Sequence, residues 1–203
     1  MIKRTFSTIG LWTIVIGLLY LFGITGGVWL IALFALATQY EFYGLLGKMG
    51  YKPFSKLGCF LGALMLLAPY YLERLSALLP EGMSLPIDST SLPGDLIAFA
   101  VIICSIRILR ERDAETRVTS IAATLFGLVY VPYMLQFFIR LVMLYQDQDS
   151  GEITNDGLYL SLWLIAVAKF CDVGALLTGL AIGKHKMAPE ISPKKTWEGA
   201  VGG

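Results

Sequence analysis

The chain has 203 residues, of which 56% are hydrophobic and 15% charged, with a formal net charge of +1 and a mean hydropathy of +0.69. Soluble domains carry about a quarter charged residues, so a soluble globular fold is excluded; at roughly 20 apolar residues per spanning helix, the length holds about six or seven spans and no separate soluble domain. A balance this close to neutral gives no ground for a nucleic-acid partner, and the placement of each charge becomes the informative variable.

Apolar runs predict helices at about 6–22, 27–46, 57–72, 94–109, 119–144 and 157–183, which makes the chain an all-α integral membrane protein forming one transmembrane domain over 1–203. Met1-Ile2-Lys3-Arg4 has the basic start of a signal peptide, but no A-x-A site follows. Gly23 to Gly27 instead lead into the second run, so the first is read as a retained span and the two as a near hairpin. Segments 80–95 and 146–157 are acidic and rich in turn formers, as connecting loops are. Cys59, Cys104 and Cys171 all fall inside apolar runs, where cysteine acts as a small hydrophobe rather than as a disulfide or metal set. No internal repeat is visible.

Lysine and arginine alternate in a way that orients the chain. One side receives Lys3, Arg4, Lys48, Lys52, Lys56, Arg107, Arg110, Arg112, Arg117, Lys184, Lys186, Lys194 and Lys195; the other receives only Arg74 and Arg140, among eight acidic residues. That asymmetry places the N-terminus and loop 184–199 in the cytoplasm, and it would be scrambled by one helix more or fewer.

Charges inside spans are costly and usually face a bundle interior. The candidates are Glu41 in the second run, beside Tyr40 and Tyr43, and Lys169 with Asp172 in the sixth. Glu41 reads equally as an interfacial anchor. Lys169 and Asp172, three apart, share a helix face and can pair, either to orient the helix or to serve a polar cavity. Beyond them Gly174, Gly179 and Gly183 recur along the helix, where small residues admit a close neighbour, another backbone or a ligand. The following segment carries Lys184, His185, Lys186, Pro189, Ser192, Pro193, Lys194, Lys195, Thr196 and Glu198. Ser192 could cap a helix there, and a helix start bearing lysines and hydroxyls suits phosphate or an anionic headgroup; a plain topogenic loop is the bland alternative. His185 is the only histidine, so a histidine metal cluster is excluded.

The string Gly183-Lys184-His185-Lys186-x-Ala188-Pro189-x-Ile191-Ser192-Pro193-Lys194-Lys195-Thr196-Trp197-Glu198-Gly199, preceded by Asp172-x-Gly174-Ala175, closely resembles the phosphatidate cytidylyltransferase (CDP-diacylglycerol synthase) family. Tyr40-Glu41-Phe42 and Leu125-Phe126-Gly127-Leu128-Val129-Tyr130 are similar to the family pattern more weakly. Members commonly carry Ser-Asp-Thr-Gly-Ala-Tyr around the aspartate, where this chain has Cys171, Val173 and Leu176. The family's downstream signature, with its metal-binding aspartates, is not present before Gly203, so the chain is expected to be the N-terminal part of a longer enzyme and to be inactive alone.

The resemblance implies cytidylyl transfer from CTP to phosphatidate, giving CDP-diacylglycerol and pyrophosphate, with Mg²⁺ and lysines stabilising the phosphoryl charge. Lys194, Lys195, Ser192 and Thr196 would hold CTP or pyrophosphate oxygens, Lys184 and Lys186 the lipid phosphate, with Glu198 also in the binding set. Asp172 and Lys195 would be catalytic, Asp172 as a metal ligand or lysine partner. The partners implied are CTP, phosphatidate and membrane lipid; a homodimer is compatible, and a bacterial inner membrane is the expected address. The rival readings are a transporter or channel using the Lys169/Asp172 pair, disfavoured by middle helices that look almost uniformly apolar, and a non-catalytic membrane module.

Overall fold

The computed structural model describes residues 2–80, 87–109, 114–145, 153–190 and 192–203 and divides into two compact units, Met1–Leu158 and Tyr159–Gly203. The described residues form α1 (Ile2–Lys48), α2 (Ser55–Ala77), α3 (Leu92–Ile108), α4 (Ala114–Leu128), a π-helical turn (Val129–Tyr133), α5 (Met134–Val142), α6 (Asp156–Ile182), a ribbon of β1 (Lys186–Ala188) and β2 (Ser192–Thr196), and α7 (Trp197–Gly202). Segments 81–86 and 146–152, which hold part of both acidic loops, and Arg110 and Arg112 lie outside the described residues.

In the first unit the two N-terminal apolar runs belong to one sharply bent helix. Gly23 takes φ 51° and ψ −127°, a region that side chains avoid and glycine does not. A Cβ on Gly26 would meet the carbonyl of Leu18, although residues eight apart in an unbroken helix stand about 12 Å apart. The bend is held from α2: the hydroxyls of Thr25 and Tyr70 lie 2.6 Å apart, and Arg74 donates to them at 3.2 and 3.3 Å. Within α4 and α5, Pro132 cannot donate an N–H, and the π turn absorbs the missing bond.

Four described helical segments are long and apolar enough to cross a membrane: Thr13–Lys48, Ser55–Ala77, Val118–Val142 and Asp156–Ile182. The expected six are not all reached, because the first two runs share bent α1 and α3 has only 17 residues, about 25 Å at 1.5 Å per residue. Charge nevertheless segregates by end in this unit. Arg107 lies over the ring of Phe54, 4.7 Å from its centroid, which brings the end of α3 to the Lys52–Lys56 segment. At the opposite end Arg140 donates to the carbonyl of Thr90 and covers Phe137 at 5.6 Å. The two arginines that break the basic asymmetry, Arg74 and Arg140, are therefore both engaged in holding helices together.

Apolar packing centres on Val28, Ala35, Leu66, Val131 and Val142, and on Leu61, Met65, Ala100 and Leu128. In lipid such contacts gain little from leaving water, so specificity falls to polar groups, which prove more numerous than the near-uniform apolar appearance of the middle helices suggested. Gln39, Ser120, Thr124 and Gln136 are all buried. Tyr43 donates to the Thr124 carbonyl at 2.8 Å and accepts from Gln39 Nε2 at 3.2 Å; the same amide donates to the Gly58 carbonyl at 3.0 Å. The Thr124 hydroxyl accepts the Phe54 N–H at 2.8 Å and donates to the Ser120 carbonyl at 2.7 Å. These bonds tie α1, α2 and α4, although Gln39 Oε1 and Gln136 Oε1 find no partner among the described residues. A Cβ at Gly58 or Gly127 would collide with the Tyr43 ring. Gly127→Val is therefore expected to cost about 1–3 kcal/mol of stability, read as a lower unfolding midpoint in detergent; an unchanged midpoint would contradict this packing.

Candidate functional site

The second unit places most of the residues singled out from sequence on one short stretch of chain. Towards its end α6 carries Gly174, Ala175, Thr178 and Gly179, with Gly183 just beyond it, and α7 lies against that face with almost no side chain between them. A Cβ on Gly174 would sit 2.7 Å from the Gly202 carbonyl; one on Gly199 would sit 2.8 Å from the Ala175 carbonyl and 3.3 Å from Gly179 Cα; one on Gly202 would enter the side chain of Thr178. Of the two uses the small residues allowed, the structure shows close backbone packing.

Between α6 and α7 the chain forms an antiparallel ribbon, pairing Lys186 with Thr196 and Ala188 with Ser192, with an irregularity between the pairs. The segment expected to be a loop leading into a Ser192-capped helix is thus partly strand. Ser192 and Pro193 lie in β2, and the cap is Thr196, whose hydroxyl accepts the Gly199 N–H at 3.2 Å. Pro193 is tolerated because a two-stranded ribbon leaves an outer edge that needs no donor. The six-residue α7 starts only at Trp197, after both lysines, so anion binding cannot be credited to a helix N-terminus here and rests on the side chains.

Those side chains do not all converge. Lys184, His185, Lys186 and Glu198 line an open groove of about 910 Å³ together with Thr178, Ile182, Trp197, Val201 and Gly202. Lys194 and Lys195 are exposed on β2, in the irregular stretch of the ribbon, and lie outside that lining. Thr196 is buried, with its hydroxyl already committed as the cap. Lys169 Nζ stands 3.4 Å from Asp172 Oδ2, and both side chains are about three-quarters exposed, so the i,i+3 pairing forms as its spacing suggests. Glu41 is exposed on α1. Sequence reasoning missed the lining contributed by Thr178, Ile182, Trp197 and Val201; the Gly174–Gly179 spacing was the available hint for Thr178, which lies between them. The two weaker family-like segments meet in the first unit, where the ring of Phe42 lies 5.6 Å from Phe126 and 5.5 Å from Tyr130.

Glu198 is the most strongly held carboxylate of the site. His185 Nδ1 lies 2.6 Å from its Oε1, and the His185 N–H reaches both carboxylate oxygens at 3.3 Å. The hydrogen bond from the His185 ring, helped by backbone N–H groups, pulls the Glu198 carboxyl down to about 2. Among the described residues no group of three or more His, Cys, Asp or Glu could hold a metal ion. Asp172 offers a single carboxylate already paired with Lys169, so these residues do not by themselves build a Mg²⁺ site. Cys59, Cys104 and Cys171 are free thiols.

These elements define a predominantly helical integral membrane protein whose α6 leads into a cationic ribbon and groove. The chain matches the Cytidylyltransferase family over residues 2–203 and belongs to it. It is similar to the phosphatidate cytidylyltransferase of Mycobacterium bovis, 36% identical over 114 residues that take in 50% of this chain and 34% of the relative. It is similar to the enzyme of that name from Chlamydia pneumoniae, at 27% over 164 residues, 81% of this chain and 50% of the relative. With that of Haemophilus influenzae it shares 47% identity over 47 residues, 23% of this chain and 16% of the relative. The chain thus spans half or less of the length of these relatives.

Because the bound Glu198 titrates below the ordinary carboxylate value of about 4.3, its contribution to closing the ribbon is complete above that value and is lost as pH falls through about 2. Hydrogen-exchange protection of the His185 amide should hold from pH 7 to 5 and decline below pH 4, and Glu198→Ala should lose it at neutral pH; protection unaffected by the substitution would contradict the assignment.

Proposed function

We propose that the chain is the substrate-gathering part of a phosphatidate cytidylyltransferase, acting at the cytoplasmic face of a bacterial inner membrane. The observation that carries this reading is the groove at the end of α6, where Lys184 and Lys186 stand beside the apolar Ile182, Trp197 and Val201. Phosphatidate has that same division: acyl chains that stay in lipid and a phosphate at the headgroup plane. Ammonium groups bind such oxygens as mobile point charges, and each charge-assisted contact contributes about 1.5–3 kcal/mol.

In the reaction a phosphate oxygen of phosphatidate attacks the α-phosphorus of CTP. The new P–O bond forms as the bond to the bridging α–β oxygen breaks, and pyrophosphate leaves with that oxygen. Charge builds on non-bridging and leaving oxygens, so positioned cations are what the protein has to supply. Lys184 and Lys186 hold the lipid phosphate, while Lys194 and Lys195 on β2 attract the triphosphate. Ser192 is the hydroxyl available to it, since that of Thr196 is buried. Mg²⁺ enters this reading as the ion carried by the triphosphate, to which Asp172 can add one carboxylate. Two copies of the chain are compatible with this scheme.

The test is CTP- and Mg²⁺-dependent conversion of phosphatidate by the full-length protein. Alanine at Lys194 or at Lys195 should lower kcat/KM about 10- to 100-fold, as loss of one charge-assisted contact requires. Equal, small effects of both would remove them from the site.

A further inference from the structure

His185 is flanked by the two groove lysines, and its Nδ1, N–H and carbonyl are tied across the ribbon to the start of α7. Its ring Nδ1 lies 2.6 Å from Glu198 Oε1, its N–H donates to both Glu198 oxygens at 3.3 Å, and its carbonyl accepts the Trp197 N–H at 3.0 Å. An exposed ion pair alone would matter little. Here the contact fixes a backbone as well as a side chain, and it does so between Lys184 and Lys186.

We propose that His185 is a positioning residue for the lipid-phosphate subsite: by fastening itself to Glu198 and Trp197 it aims Lys184 and Lys186 together into the groove and occupies the carboxylate that would otherwise pair with them. The charged and titratable groups lining that groove are Lys184, Lys186 and Glu198, with His185 itself; α6 contributes Thr178 and Ile182, neither of them ionisable at neutral pH. Freed from His185, the Glu198 carboxylate is an internal anion beside two lysines, competing with substrate phosphate for the same cations. The Glu198 side chain is 22% exposed and the His185 side chain 80%, so the acid is held inward and the ring faces solvent. This inference rests on the reading of the groove as the phosphatidate subsite.

The test is steady-state kinetics of the full-length protein, varying phosphatidate in mixed micelles and CTP separately. His185→Ala should raise KM for phosphatidate roughly tenfold, as loss of a prepaid orientation does, and leave KM for CTP within about twofold. His185→Asn, whose amide nitrogen can occupy the place of Nδ1, should recover most of the loss, whereas a role in packing alone would be served as well by Leu. Glu198→Gln keeps an acceptor for His185 but removes the competing charge, so it should raise KM for phosphatidate less than His185→Ala does. Unchanged KM for phosphatidate in His185→Ala, or equal rescue by Leu and Asn, overturns the proposal. If His185→Ala is recovered only as aggregate, a His185→Asn protein with a raised KM overturns it as well. A wild-type protein with no CTP-dependent turnover overturns the functional reading and this inference with it.

Discussion

The close approach of α7 to α6 is the constraint on which the site depends. Gly174, Gly179, Gly199 and Gly202 remove the side chains that would hold the two helices apart, and contacts such as Gly174 with the Gly202 carbonyl follow. Within hydrocarbon the hydrophobic effect contributes little between helices, so small residues that let backbones meet are a principal means of association. Fixing α7 on α6 returns the chain to within reach of its own starting point. The ribbon between them must then close in a few residues, and Lys184, Lys186 and Glu198 are brought to one groove.

Two acidic residues of the site are paired in different ways, which separates their roles. Asp172 meets Lys169 within one helix, both well exposed, a pair that replacement or a stronger cation can open. Glu198 accepts from a ring and a backbone amide and is held largely inward. Its carboxylate is therefore part of the scaffold, which leaves the lysines as the groups proposed to meet phosphate.

The helices were legible because their apolar runs are long and their boundaries are marked by charge; α2, α3 and α6, and α4 together with α5, overlap apolar runs read from the sequence. The bend at Gly23 was legible only as a glycine-rich interval, since its sharpness depends on the Thr25–Tyr70–Arg74 contacts from another helix. The ribbon was missed for a local reason. Ser192-Pro193 before two lysines reads as a helix start, and strand pairing with Lys186 is a non-local choice that short-range propensity does not encode. The four lysines proposed to bind phosphate were picked out by residue type, whereas the split between Lys184 and Lys186 in the groove and Lys194 and Lys195 on β2 came only from the fold. Likewise the bonds of Gln39, Tyr43 and Thr124 join residues up to 81 positions apart, a pairing that no periodicity announces.

The most direct measurement is photo-crosslinking of the full-length protein with a radiolabelled azido-CTP, followed by mapping of the labelled peptide. The account predicts label in 184–203 that is displaced by excess unlabelled CTP and reduced by phosphatidate-dependent turnover. Displaceable label confined to residues 1–158, with none in 184–203, would contradict it.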